Sequence, residues 1–115
     1  MADNKTKIFK ALSDANRLRI LKILQARPLY ACEIKDVLNL AASTVSKHLS
    51  ILKESGFIVM VKEGKWINFK INPKPSDQRI ASILSSLDFW IADNDTILND
   101  LKKVSKVDRF QICAK

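Results

Sequence analysis

The chain contains few of the residues on which disulfide-stapled domains and many enzymes depend. Its 115 residues include two cysteines, two glycines, three prolines and one histidine. Two cysteines cannot build the set of disulfides that holds small secreted domains together, so a reducing cytoplasm is the expected compartment. One histidine, with neither a glycine-rich phosphate loop nor a spaced pair of acids, provides no set of catalytic groups. We therefore predict that the protein is not an enzyme.

Long apolar runs are absent as well. No run approaches the ~20 residues that a membrane-spanning helix needs. The first residues, M-A-D-N-K-T-K, lack the apolar core of a secretory signal. We expect no membrane partner. A hydrophobic content of 47% predicts instead one folded domain over residues 1–115.

The charged residues are unbalanced in favour of lysine and arginine. There are 20 of these against 12 aspartates and glutamates, which gives a formal net charge of +8. A small basic domain commonly binds a polyanion, most often nucleic acid. The alternative is that the charge serves solubility alone.

A helix predicted from Ala42 to Ser55 has two unlike sides. Its apolar residues share one side: Val45, Leu49 and Leu52. Short hydroxyls and one lysine share the other: Ser43, Ser46, Lys47 and Ser50. Hydroxyls and a cation with little bulk suit a helix that lies in the major groove of DNA. The alternative is an ordinary serine-rich surface. Ser43 is the expected N-cap.

The elements on either side of this helix complete a known arrangement. A short helix from Ala31 to Leu38 and a tight turn precede it, which predicts a helix-turn-helix over residues 31–55. Gly56 ends the helix, and two β-rich runs follow around Glu63-Gly64, which predicts a hairpin, or wing, over residues 57–71. Lysines flank its turn: Lys62 and Lys65. They could reach phosphates, or they could simply guard a solvated sheet edge.

A helical apolar pattern extends over residues 77–105. One helix of this length would measure about 40 Å and exceed what a single small core can cover. Its surplus apolar face predicts a second copy of the chain as partner, with Asn94 able to fix the register. The candidate dimer-interface residues are Ile8, Ile83, Leu87, Trp90, Ile91, Ile97 and Leu101. The alternative is that the helix packs only on its own domain.

Three motifs in order resemble one family. They are K-A-L-S-D-A-N-R-L-R-I-L, S-T-V-S-K-H-L-S-I-L-K-E-S-G-F-I and K-E-G-K-W-I-N-F-K-I, which together span roughly residues 5–72. They resemble the ArsR/SmtB family of winged-helix repressors. The resemblance implies a mainly α fold with a β-hairpin, a winged helix-turn-helix and a long C-terminal dimerisation helix. It also implies a homodimer that binds double-stranded operator DNA and releases it when an inducer binds.

The resemblance assigns DNA contacts to the helix at residues 42–55. Ala42, Ser43, Ser46 and Lys47 occupy the positions of the family's contacts. With the neighbouring helix residues and the wing, the candidate DNA-binding set is Ala42, Ser43, Thr44, Ser46, Lys47, Ser50, Lys62, Gly64 and Lys65. Two recognition helices in one dimer predict an operator that is an inverted repeat. The rival interpretation is a winged-helix protein-interaction module that binds no DNA.

The effector site is the part that the resemblance leaves open. Of the family's metalloid thiolates only Cys32 is present, because Tyr30 and Lys35 stand where further cysteines would be expected. Of the family's zinc site on the last helix only Asp88 matches, so that site is absent. Cys32 and Cys113 could still form a composite site for a soft metal or metalloid, or a disulfide that acts as a redox switch. The alternative is a half-buried Cys32 that packs as a small hydrophobe and an unrelated thiol near the C-terminus. No cofactor is certain.

His48 is the remaining candidate ligand. It lies nearer the apolar side of its helix than Ser46 or Lys47. We predict a half-buried ring that hydrogen-bonds a neighbouring element, rather than a residue that reads bases or binds a metal.

Overall fold

The computed structural model describes residues 4–91 and 93–108. These residues form six helices and three strands. Their order is α1 (Asn4–Leu12), α2 (Ala15–Ala26), β1 (Leu29–Tyr30), α3 (Ala31–Leu38), α4 (Ala42–Glu54), β2 (Ile58–Glu63), β3 (Trp66–Ile71), α5 (Gln78–Trp90) and α6 (Asp95–Val104). No helix in the described part is long and apolar enough to span a membrane. The architecture is a mainly helical winged helix-turn-helix, which confirms the predicted fold class.

Helix α2 lies at the centre of the core, with α1, α3, α4, α6 and β3 packed around it. Five consecutive residues of α2 are buried, from Ile20 to Leu24, and Lys22 is among them at 6% exposed. The helix-turn-helix adds the apolar sides of its two helices: Ile34, Val37, Leu38, Val45, Leu49 and Leu52. Burial of each such side chain contributes about 1.5–3 kcal/mol, so this shared core holds α4 in place.

The start of α4 differs from the prediction. Asn39 ends α3 in the left-handed conformation, with φ at 56°, and the extended backbone of Ala41 makes that residue the N-cap of α4. Ser43 therefore lies inside the first turn and is exposed. The prediction that Ser43 caps the helix is wrong. The turn after α3 places the extended N-cap residue at Ala41, so Ala42 is already the first residue of the helix.

The wing is an antiparallel pair of strands, β2 and β3, in register from Ile58 opposite Ile71 to Glu63 opposite Trp66. Its turn is Gly64-Lys65, with Gly64 at a φ of 62° that favours glycine. A third strand, β1, pairs with β3 and was not anticipated, because a two-residue strand shows no alternation in sequence. This strand ties the start of α3 to the wing.

The C-terminal helical stretch is two helices, α5 and α6, so the prediction of one continuous helix is wrong. Asn94 is the N-cap of α6, where its Oδ1 accepts hydrogen bonds from the backbone N–H groups of Thr96 and Ile97 at 3.0 and 3.3 Å. An asparagine that caps a helix interrupts the one before it. Helix α6 then packs against α2 and α3. The apolar spacing continues across the break because α5 and α6 face the same core.

Candidate nucleic-acid interface and cysteine site

Helix α4 presents its polar side to solvent. All the residues predicted there to contact DNA are exposed: Ala42, Ser43, Thr44, Ser46, Lys47 and Ser50. The apolar side is buried to within a few per cent, with Val45 1%, Leu49 3% and Leu52 0% exposed. The exposed side therefore offers short hydroxyls and one ammonium group, so no bulky side chain keeps another surface away from the helix backbone.

The buried His48 anchors α4 to the start of α2. Its ring is 8% exposed, and Arg17 Nη1 lies 3.1 Å from His48 Nδ1. Since a guanidinium can only donate, Nδ1 accepts and the ring proton lies on Nε2. Arg17 also donates to the backbone carbonyls of Ala11 and Lys10, at 2.8 and 3.0 Å. The prediction of a histidine bonded to a neighbouring element is confirmed, and the contact fixes α4 relative to α1 and α2.

Asp14 supports the same contact between α4 and the start of α2. Its Oδ1 accepts hydrogen bonds from the backbone N–H groups of Asn16 and Arg17 and lies 3.9 Å from His48 Nε2. Burial alone would raise the pKa of Asp14, but the two backbone N–H groups and the nearby charge of Arg17 outweigh it and lower the pKa. The carboxylate is thus the stable form that caps α2.

The wing places its three predicted contact residues at the surface: Lys62, Gly64 and Lys65 are all exposed. Beside the turn of the wing, Glu63 accepts hydrogen bonds from Asn68 Nδ2 at 2.6 Å and from the Tyr30 hydroxyl at 3.4 Å. Tyr30 and Trp66 also meet edge to face, with ring centroids 5.6 Å apart. The wing is therefore connected directly to the residue that precedes α3.

Cys32 is the second residue of α3, half-buried, and its sulfur is part of a disulfide bond. The sequence contains one other cysteine, Cys113, which lies outside the described residues. Cys32 is thus half-buried and in its oxidised form in this structure.

A polar chain joins the start of α3 to the end of α6. Glu33 accepts from the backbone N–H of Tyr30 at 2.9 Å and from Arg27 Nη2 at 3.3 Å. The same Arg27 nitrogen lies 3.2 Å from the carbonyl oxygens of Val104 and Val107. Sequence reasoning missed this connection. The contact between Glu33 and Tyr30 had a signal in the sequence, which is a glutamate three residues after the cap position.

The described residues do not fit a centre for a metalloid or a soft metal. No group of three or more His, Cys, Asp or Glu within 4–91 and 93–108 could hold a metal ion. A sulfur in a disulfide is not a thiolate, and one thiolate would be too few for a soft ion. Asp88, which matches one position of the family's zinc site, forms an ion pair with Lys22 Nζ.

The predicted dimer-interface residues fall into three groups. Ile8, Leu87 and Ile97 are only 2–3% exposed within a single chain, so a partner has almost nothing left to cover. The half-buried residues pack against the core of their own chain: Ile83, Ile91 and Leu101. Trp90 is 65% exposed. Two aromatic residues absent from the prediction are more exposed still, Phe9 at 69% and Phe89 at 87%.

Comparisons with known proteins agree with this fold. A family model described as the bacterial regulatory protein, arsR family, matches residues 14–59. The arsenic resistance transcriptional regulator ArsR2 of Pseudomonas putida is 32% identical over 98 residues, which cover 82% of this chain and 85% of that protein. The arsenical resistance operon repressor of Escherichia coli is 34% identical over 67 residues, 57% of each chain.

A solved structure matches the fold. The homodimeric winged helix-turn-helix DNA-binding domain of a possible ArsR-family regulator from Mycobacterium bovis has a TM-score of 0.66 at 22% identity, over 81% of this chain and 82% of that one.

These features define a DNA-binding transcriptional regulator of the winged helix-turn-helix class. The chain belongs to the arsR family of bacterial regulatory proteins. The predicted family is confirmed, and because the family consists of transcriptional regulators, the prediction that the chain is not an enzyme agrees with it.

Proposed function

We propose that the protein is a cytoplasmic, homodimeric repressor that binds an inverted-repeat operator. Each protomer places α4 in a major groove and its wing against the adjacent backbone. The observation that carries this proposal is the exposed side of α4, where short hydroxyls and Lys47 lie above a fully buried apolar side. Two symmetry-related recognition helices then enter grooves about 34 Å apart.

The lysines set the electrostatics of this complex. Lys47, Lys62 and Lys65 are exposed on the two DNA-facing elements. Each phosphate that they neutralise releases a condensed counterion, so the affinity falls steeply as salt rises. A protein-interaction module would show neither this slope nor binding to its own upstream DNA, and the salt titration therefore separates the two functions.

Replacement of Lys47 by alanine is expected to weaken operator binding by about 1–3 kcal/mol if the ammonium contacts a base edge. The measurement is fluorescence anisotropy of the reduced protein on its own upstream DNA. Lys102→Ala, which removes an exposed lysine from α6, is the matched control and should bind like the wild type. Equal affinity of Lys47→Ala and Lys102→Ala in the same buffer would remove Lys47 from the interface.

Thiol oxidation is the release signal that the site favours. As the Cys32–Cys113 disulfide forms, two thiols lose two electrons and two protons. A peroxide accepts these electrons and protons. An organic hydroperoxide is reduced to an alcohol and one water molecule, and hydrogen peroxide is reduced to two water molecules. Support comes from the disulfide state of Cys32 and from its position at the start of α3, two residues after Tyr30, which contacts the wing.

Hydrogen peroxide is expected to lower the operator affinity of the wild type by about tenfold, a common size for coupling between two sites. Cys32→Ser and Cys113→Ser should keep their affinity under the same treatment. A parallel titration with arsenite tests the second candidate, which rests on relatives named for arsenic resistance. Release by arsenite alone would assign the cysteine pair to a soft metalloid, and release of both serine variants by peroxide would exclude the pair as sensor.

A further inference from the structure

A cavity of about 320 Å³ lies where the later parts of α1 and α4 meet the start of α2. Sites for small molecules commonly measure roughly 300–1,000 Å³, so this cavity can hold a ligand of a few carbon atoms. Its lining is Lys7, Lys10, Arg17, Ile51, Glu54 and Ser55. These residues belong neither to the candidate DNA-binding set nor to the cysteine site, so the proposed function leaves the cavity without a role.

Arg17 brings unused hydrogen-bond donors to the cavity. Three of its five guanidinium N–H groups are engaged, by the carbonyls of Ala11 and Lys10 and by His48 Nδ1. The other two have no acceptor in the described part of the chain. Because the engaged groups hold the half-buried side chain in place, these two donors are already positioned for a ligand. A carboxylate, with two oxygens in one plane, is the acceptor that suits a planar guanidinium.

The charges around the cavity also favour an anion. Lys7 and Lys10 are three residues apart on α1 and share one side of that helix. Neither ammonium group forms an ion pair within residues 4–91 and 93–108. Glu54 is the one carboxylate of the lining, against three cations. A bound anion therefore gains more attraction than repulsion.

The wall that α4 contributes is apolar or already satisfied. Ile51 is partly buried against the core and turns part of its side chain to the cavity. Ser55 is 3% exposed, and its hydroxyl donates to the carbonyls of Ile51 and Leu52 at 3.0 and 3.1 Å. An inorganic anion would leave Ile51 without a contact, whereas an aliphatic body would cover it. The lining thus suits a ligand with a charged head and a short apolar body.

We propose that this cavity is a binding site for a small aliphatic carboxylate. The head binds the two remaining N–H groups of Arg17 and lies near the ammonium groups of Lys7 and Lys10. The apolar body lies against Ile51. The ligand thereby contacts α1, α2 and the recognition helix α4 at once.

An occupied cavity should weaken DNA binding. Glu54, on the cavity wall, is four residues after Ser50, so the two are neighbours on the surface of α4. Since Ser50 belongs to the candidate DNA-binding set, the carboxylate adds negative charge beside the surface that faces the phosphates and offsets three nearby cations. This regulation rests on the proposed function, whereas the binding of the carboxylate does not.

The test titrates the reduced full-length protein with hexanoate, hexanamide and inorganic phosphate in a calorimeter. Hexanamide keeps the aliphatic body without the charge, and phosphate keeps the charge without the body. Hexanoate is expected to bind at least about tenfold more tightly than either. The methyl resonances of Ile51, assigned with an Ile51→Val variant, should shift on addition of hexanoate.

Variants of exposed residues locate the site. Lys7→Gln/Lys10→Gln should bind hexanoate about tenfold more weakly than the wild type, since two cations leave the cavity. The matched control Lys5→Gln/Lys102→Gln removes two exposed lysines outside the cavity and should bind like the wild type. Glu54→Gln removes the one repelling carboxylate and should bind about threefold more tightly, a gain that a misfolded variant would not show.

Operator binding gives the regulatory readout. Saturating hexanoate is expected to lower the operator affinity of the reduced wild type by about fivefold, and that of Lys7→Gln/Lys10→Gln by less than about twofold. The effect should shrink as salt rises, because it is electrostatic.

Three results would overturn the site: equal affinity for hexanoate and hexanamide, equal affinity of the two double-lysine variants for hexanoate, or Ile51 methyl resonances that do not move. Hexanoate that binds as expected while operator affinity stays constant would overturn the regulation and uphold the site. A protein that binds hexanoate but no operator DNA would contradict the proposed function and uphold the site.

Discussion

The variant Phe89→Glu/Trp90→Glu is expected to be a monomer. These residues are consecutive in the last turn of α5 and are 87% and 65% exposed. Large aromatic side chains left in water mark a surface that a partner covers, and buried aromatic anchors often contribute 2 kcal/mol or more each to an interface. The dissociation constant of the dimer should rise by about 100-fold or more, because the variant also places two carboxylates in the contact.

Sedimentation equilibrium measures the effect directly. The matched control is Leu98→Glu, which replaces a 45% exposed leucine of α6 and should remain dimeric. A monomeric Leu98→Glu beside a dimeric α5 variant would move the interface to α6. The α5 variant should also bind an inverted repeat about 10²–10⁴-fold more weakly than the wild type does. Its affinity for a single half-site should equal that of a wild-type protomer.

Asp100→Ala is expected to destabilise the fold by about 2–3 kcal/mol. Asp100 is 2% exposed and accepts hydrogen bonds from Arg19 Nε at 2.8 Å and Arg19 Nη2 at 3.0 Å. The hydrogen bond to Asp100 raises the pKa of Arg19. Without Asp100 the guanidinium still stays charged, because an arginine side chain is always protonated in proteins at neutral pH. Because the Arg19 side chain is 20% exposed, it can regain some hydration, and the cost falls below the 3–5 kcal/mol of a fully buried broken pair.

Urea unfolding monitored by circular dichroism gives the free-energy difference. Asn99→Ala, an exposed neighbour on α6, is the control and should stay within about 0.5 kcal/mol of the wild type. The double variant Arg19→Met/Asp100→Leu should recover much of the loss, since no charge is then left unpaired. If Asp100→Ala is as stable as Asn99→Ala, then this ion pair does not hold α6 to α2.

The recognition helix and the wing followed from the sequence because both depend on short-range patterns. Helical spacing alone separates Val45, Leu49 and Leu52 from the serines and Lys47, and this division appears unchanged in the burial of α4. The wing needed only two β-rich runs and a glycine able to take a positive φ between them. Even His48 was placed correctly, since its angular position on the helix lies near the apolar side.

The C-terminal third was misjudged for a physical reason. Apolar residues at spacings of three and four occur in one long helix and equally in two shorter helices that face the same core. Asn94 is compatible with both, as a polar residue in a stripe or as an N-cap. The packing of α6 onto α2 decides between one helix and two. There Arg19 bonds to Asp100, which lies 81 positions further along the chain. That contact has no local signature.

The dimer-interface prediction suffered from the same ambiguity. A helical stripe shows that a face is covered, but not whether the cover is the same chain or a partner. In the structure Ile8, Leu87 and Ile97 are covered by their own chain, whereas Phe89 and Trp90 are left exposed.

The sequence by itself determined the fold class, the family and the exposed side of α4, because each depends on residues close together in the chain or on composition. Only the tertiary structure decided the break before Asn94, the strand β1 that joins Tyr30 to the wing, and the link from Glu33 through Arg27 to the end of α6. These features depend on which distant faces meet, and that is settled by the packing of the whole core.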